Sequence, residues 1–130
     1  MKASHLIMKA REAKELSYSP YSNFAVGAAI ETEDGSVYTG CNVEIASFAG
    51  TLCAERNAVF KAVSEGHRKI EKIAVVSNVP HTYPCGICRQ VIREFAKDAE
   101  IYVAGEGDEY STYTLEDLLP HSFGPEFLNK

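Results

Sequence analysis

At 130 residues the chain is long enough for one hydrophobic core and too short for two, so a single domain over 1–130 is expected. Hydrophobic residues make up 45% and charged residues 24%, an ordinary balance for a globular protein, and no apolar run nears the roughly 20 residues that cross a bilayer. The net charge of −5 works against nucleic acid, whose binding rests on Lys and Arg neutralising phosphates, and points to a small or neutral substrate. Met1-Lys2-Ala3-Ser4-His5 lacks the apolar stretch of a signal peptide, which predicts a cytoplasmic protein.

Ser4 is suited to cap a helix whose apolar positions Leu6, Ile7, Ala10, Ala13 and Leu16 recur at helical spacing. Such a helix should cover one face of a sheet. Ser19-Pro20-Tyr21-Ser22-Asn23 breaks it, after which Phe24, Val26, Ala28 and Ile30 alternate as in a strand. Asp34-Gly35 is a hairpin signal returning the chain through Val37 to Asn42. Residues 43–52 show no period and read as an irregular loop delivering the chain to Cys53. A helix is predicted over 54–65, stopped by Gly66. The β-branched run 73–77 reads as a strand buried on both faces. Beyond a loop at 78–84 with two prolines, another helix starts near Gly86, with Val91, Ile92 and Phe95 on one face. Strands are predicted at 101–104 and 110–113. Thr114-Leu115-Glu116-Asp117 then opens a short helix with a capping-box pattern, ended by Pro120. This order predicts an α/β fold with a mixed sheet and helices on both faces.

The chemistry concentrates in two stretches at helix starts. Cys53-Ala54-Glu55-Arg56 puts a thiol and a carboxylate two residues apart, and Pro84-Cys85-Gly86-Ile87-Cys88 holds two cysteines at a spacing that lets both sulfurs reach one ion. Zinc with three protein ligands keeps a fourth position for water, whereas structural zinc normally fills all four with protein. A Cys or His followed two residues later by Glu, then Pro-Cys-x-x-Cys, is the pattern of the zinc nucleobase deaminases. Three thiolates bring −3 against the +2 of zinc. The positive ends of the two helices and Arg56 are the visible offsets. Glu55 is then suited to proton transfer. Cys41 supports a competing reading, a four-cysteine structural zinc, although it lies far from Cys53 and the usual two close pairs are missing. His5 and His67 read as solvated and His121 as part of the tail. His81, four residues before Cys85, is a loop histidine near the site.

With these residues in place, the chain resembles the small homotetrameric cytidine deaminases almost end to end. The resemblance includes Tyr18-Ser19-Pro20-Tyr21-Ser22-Asn23-Phe24, Val26-Gly27-Ala28-Ala29, Gly40-Cys41-Asn42-Val43-Glu44, Lys61-Ala62-Val63-Ser64-Glu65-Gly66, Leu118-Leu119-Pro120 and Phe123-Gly124-Pro125-Glu126. It implies a three-layer α-β-α sandwich with a mixed central sheet. The implied activity is conversion of cytidine and deoxycytidine to uridine and deoxyuridine with release of ammonia, as in pyrimidine salvage. Cys53, Cys85 and Cys88 match the Zn2+ ligands, Glu55 the proton shuttle, and Arg56 an arginine that bonds ligand sulfur. Phe24 and Ala54 match residues against the base, and Asn42 and Glu44 those that hold the ribose hydroxyls. Phe123 matches an aromatic that reaches a neighbouring subunit's site, so a homotetramer with shared sites is implied. Ile45, Phe48 and Tyr83 depart from the family, which commonly has Asn, Tyr and a small hydroxyl residue there. Two alternatives stay open: a deaminase for another aminated nucleoside or base analogue, and a zinc-stabilised binding domain without turnover.

Overall fold

The computed structural model describes residues 1–80 and 82–128. Leu6, Ile7, Ala10 and Ala13 fall on one face of α1 (Ala3–Lys14) and are all buried. The capping role expected of Ser4 is not found. The carbonyl of Lys2 already accepts from the N–H groups of His5 and Leu6, so Ser4 lies inside the first turn and the extended residue before the helix is Lys2. Leu16 lies past the helix end and is 78% exposed.

Strand β1 (Val26–Thr32) pairs antiparallel with β2 (Val37–Cys41) on one side and β3 (Ile70–Ser77) on the other. Being central, it is buried on both faces, so Ala29 is as inaccessible as Ala28 and Ile30. The alternation read back to Phe24 therefore overran the strand; Phe24 lies before it in a loop. The hairpin turn forms at Asp34-Gly35, where Gly35 takes the left-handed φ of 89° that its missing Cβ allows. Strand β3 starts three residues before the predicted run, because Glu71 and Lys72 interrupt an apolar pattern whose first member, Ile70, is buried.

Strand β3 runs parallel to β4 (Glu100–Ala104) through α3 (Gly86–Phe95), and β4 pairs antiparallel with β5 (Tyr110–Tyr113). The sheet order is β2-β1-β3-β4-β5. One face packs Leu6, Ile7 and Ala10 of α1 on Ala29, Ala74, Val76 and Tyr102. On the other, α2 (Ala54–Ser64), α3 and the short α4 (Leu115–Leu118) bury Ala58, Val59, Ile92 and Leu115 against Ile30, Ile73, Val75 and Ile101. The result is a three-layer α-β-α arrangement around a mixed sheet. The capping box of α4 forms between Thr114 and Asp117. Among the described residues, no helix is long and apolar enough to cross a membrane.

The start of α2 rests on β2 at Gly40. A Cβ there would come within 2.7 Å of the Ala58 nitrogen and 2.8 Å of the Ala54 oxygen, both backbone atoms that cannot swing aside. Gly40→Ala should therefore destabilise by about 1–3 kcal/mol as overpacking does, exceeding the ~0.4–1 kcal/mol gained by stiffening the unfolded chain. Urea unfolding measures this, and an unchanged midpoint would mean that α2 shifts on the sheet at no cost.

Candidate active site and metal centre

Two helices begin at the same place. Cys53 is the extended residue preceding α2 and Cys85 the one preceding α3, while Cys88 sits in the first turn of α3. Unpaired N–H groups and the positive end of each helix dipole are therefore turned toward sulfur. The three Sγ atoms all lie within 4.8 Å of one another, and those of Cys53 and Cys85 are 3.7 Å apart. Zinc bonded to thiolates at about 2.3 Å in a tetrahedron sets sulfurs about 3.8 Å apart, so the trio fits zinc. Cys41 is not part of the metal-competent group found among the described residues; it lies on β2, and its carbonyl accepts from Asn57. The four-cysteine structural site is thus not formed.

Exposure falls from Cys85, which is exposed, through half-buried Cys53 to buried Cys88. The hydrogen bond from Cys88 and then Arg56 pull the Cys53 thiol down to about 5, while the same bond to Cys53 and burial push Cys88 up. Arg56 reaches Cys53 Sγ from its Nη2 at 3.4 Å and also approaches the Thr51 carbonyl at 3.5 Å. Its charge thus stands beside the Cys53 sulfur, where the charge offset was expected.

Glu55, in the first turn of α2, is 5% exposed. Burial, with the nearby Cys53 charge adding to it, pushes its carboxyl up to about 7. It borders a cavity of about 470 Å³ together with Cys53, Cys85, Ala54, Phe24, Asn42 and Glu44, a volume within the ordinary range for small-molecule sites. Phe48, Tyr83 and Ile87 give its mouth an apolar rim.

Asn42 and Glu44 hold more than a cavity wall. Asn42 Nδ2 donates to the Phe24 carbonyl at 2.8 Å, and its Oδ1 accepts from the Val26 N–H at 3.0 Å and from the Ser17 hydroxyl. Glu44 accepts from the backbone N–H groups of Tyr21 and Ser22 at 3.1 and 3.0 Å and from the Ser22 hydroxyl. The Ser22 hydroxyl, and then these N–H groups, hold the Glu44 carboxyl below its ordinary range. Both side chains thus organise the loop that presents Phe24, a role the sequence reading missed. Its one signal was a turn-rich segment, 19–23, preceding an aromatic. Three bonds leave Glu44 with acceptor capacity toward the cavity.

Phe123 does not line this cavity in its own chain. It stacks on Phe127, with ring centroids 5.5 Å apart and planes at 18°, and is 57% exposed. Tyr83 turns its hydroxyl to that of Tyr113 at 3.0 Å. His67 is half-buried, against Tyr38 and near Asp34, so the solvated reading of it does not hold. His81 lies outside the described residues.

Comparison with known proteins agrees with this geometry. Residues 1–104 match the family model of the cytidine and deoxycytidylate deaminase zinc-binding region. A cytidine deaminase of Sporosarcina psychrophila is 43% identical over 131 residues, covering 99% of this chain and 96% of that protein. One of Halalkalibacterium halodurans is 45% identical over 126 residues, covering 95% of this chain and 96% of its own length. The crystal structure of cytidine deaminase from Burkholderia pseudomallei superimposes with a TM-score of 0.90 at 43% identity, covering 95% of this chain and 100% of that one. With its sulfur trio at two helix starts, its carboxyl beside them, and a family match that runs through both motifs, the chain belongs to the cytidine and deoxycytidylate deaminase zinc-binding family.

Proposed function

We propose that this chain is a zinc-dependent cytidine deaminase that converts cytidine and deoxycytidine to uridine and deoxyuridine, releasing ammonia, in pyrimidine salvage. The observation that carries this reading is the buried carboxyl of Glu55 on a cavity whose wall includes Cys53 and Cys85. Four unpaired cysteines suit a reducing compartment, which supports a cytoplasmic enzyme.

Cys53, Cys85 and Cys88 hold the zinc, which when bound supplies the Lewis acidity that makes a water reactive at neutral pH. Glu55 receives a proton as water adds to C4 of the base and gives it to ring nitrogen N3; it then takes a second proton from the new C4 hydroxyl and passes that one to the departing amine. The C4–N bond breaks as the C4–O bond is kept, so water and cytidine become uridine and ammonia. Phe24 packs on the base, Ala54 borders it at the helix start, and Asn42 and Glu44 face the sugar hydroxyls. An acidic acceptor at the sugar suits a diol and repels a phosphate, favouring nucleoside over nucleotide. An ultraviolet assay of the zinc-loaded protein with cytidine, deoxycytidine, adenosine and guanine tests this directly. Turnover of the first two is expected, and turnover of neither would overturn the reading.

Arg56 lowers the excess negative charge of three thiolates. Arg56→Gln should keep zinc but slow turnover by about tenfold, within the range that partners of metal ligands contribute. Metal analysis beside kcat measures it; an unchanged rate would remove Arg56 from the mechanism.

The assembly that supports this chemistry best is a homotetramer with shared sites. Phe123 and Phe127 leave a stacked aromatic pair in solvent at 57% and 63% exposure, and such surface commonly marks an interface. In this arrangement Phe123 of one chain packs on the base held by another. Phe123→Ala should then raise KM for cytidine by about fivefold with zinc retained. Mixing Glu55→Gln chains with Phe123→Ala chains under subunit exchange should restore turnover at the low parent KM, because some sites then draw both intact residues from different parents. No recovery after proven exchange, or a fully active monomer, would count against shared sites.

A further inference from the structure

The C-terminal tail is tied to α3 by a buried charge. Arg93 is 7% exposed, and its guanidinium is taken up by the tail of the same chain. Its Nε donates to the Ser122 hydroxyl at 2.7 Å and its Nη2 to the Glu126 carboxylate. The Arg93 side chain also lies against Gly124, where a Cβ would come within 2.5 to 2.6 Å of Cζ and both Nη atoms, so any larger residue there would push the guanidinium from this position. One turn back on α3, Gln90 Nε2 donates to the Phe123 carbonyl at 2.8 Å. Residues three apart on a helix share a face. Gln90 and Arg93 thus hold Ser122, Phe123, Gly124 and Glu126 from one face of the helix that also carries Cys88.

A buried arginine is costly unless fully paired, and an apolar side chain would hold a tail to a helix at least as well. What the charged arrangement adds is direction. Planar donors fix the orientation of their partners as apolar contacts do not, and the segment so held carries the Phe123 ring, stacked on Phe127 with both more than half exposed.

We propose that Arg93, with Gln90 as a second point of attachment, is a positioning residue that fixes the tail on α3 so that the Phe123 ring is set in place before substrate arrives. This rests on the reading that Phe123 packs on the base. A tail without these bonds must be ordered at each binding event, and that loss falls on substrate binding and not on the proton transfers at Glu55.

The test compares zinc-loaded Phe123→Ala, Arg93→Gln and Glu126→Gln, and each of the latter two combined with Phe123→Ala. KM and kcat for cytidine are measured together with zinc content. Arg93→Gln and Phe123→Ala should each raise KM by about fivefold, with kcat within about twofold of the parent and zinc unchanged. The double variant should be no worse than the more impaired single one, because once the ring is gone its placement has nothing left to affect. Glu126, half exposed, guards against misfolding at the buried arginine. Its amide variant should raise KM in the same direction by a smaller factor, and also without further effect in the Phe123→Ala background. If KM rises in Phe123→Ala but stays at the parent value in both Arg93→Gln and Glu126→Gln, the clamp is overturned while the role of Phe123 stands. If the effects multiply in the double variants, or if Arg93→Gln loses kcat and zinc with KM unmoved, Arg93 is structural only and the proposal fails. If Phe123→Ala itself leaves KM unmoved, the reading beneath it fails and the clamp with it.

Discussion

Glu55→Gln is expected to keep the fold and the zinc and to lose between about 100- and 10,000-fold in kcat, the span that a positioned proton carrier supplies. The upper end is the better expectation, because one group serves four transfers: from the attacking water, to the ring nitrogen, from the new C4 hydroxyl, and to the leaving amine. The amide matches the carboxylate in shape, so the wall of the cavity is preserved and substrate still enters. What it cannot do is accept and return a proton. The position is 5% exposed, leaving little room for solvent to take over the role. Single-turnover kinetics with metal analysis on the same sample separates this from zinc loss. A variant that deaminates at the parent rate would show that Glu55 is a wall residue and that another base acts.

The chemistry was legible in the sequence because it is local. Cys53 with Glu55, and Cys85 with Cys88, are set by one helix turn each, and the sulfur trio needed only that two helix starts meet. That they meet could not be read from spacing. It follows from the parallel pairing of β3 with β4 through α3 and from Gly40 letting α2 settle on β2, both of which join residues distant in the chain. Phe24, at the end of its loop, was misread as strand for a related reason. Its conformation is dictated by Asn42 and Glu44, about 20 residues later, whose side chains replace the backbone partners a strand would have offered. Taken alone, the turn-rich run 19–23 signals a break in the chain but not which residues hold it.

The same distance effect hid the tail. Arg93 reads as a polar position on an amphipathic helix, and the one acidic residue within a turn of it, Glu94, is its immediate neighbour and does not share its face. Its partners Ser122 and Glu126 lie about 30 residues on. Ser4 shows the opposite error. A good capping residue close to a helix start was assigned the cap, although the turn had already closed on the Lys2 carbonyl.

Cys88→Ser is expected to abolish zinc binding together with activity and to remove the stabilisation that zinc confers. Cys88 is the buried member of the trio, and a serine hydroxyl at this position is a weak zinc ligand that does not ionise near neutral pH. Two remaining thiolates cannot close the three-ligand site. Because the converged sulfurs exist only in the folded chain, metal affinity adds to folding stability. With free zinc at about a thousand times its dissociation constant, that linkage is worth about 4 kcal/mol. In the parent protein, a chelator should therefore lower the urea midpoint or melting temperature, and zinc should restore it. Cys88→Ser should unfold at the same point with zinc or chelator, whereas Cys41→Ser should bind zinc and respond to chelation as the parent does. Zinc loss from Cys41→Ser would bring back the four-cysteine structural site. Full zinc binding by Cys88→Ser would mean that the ion is held elsewhere, and the placement of Glu55 beside the reacting water would lose its basis.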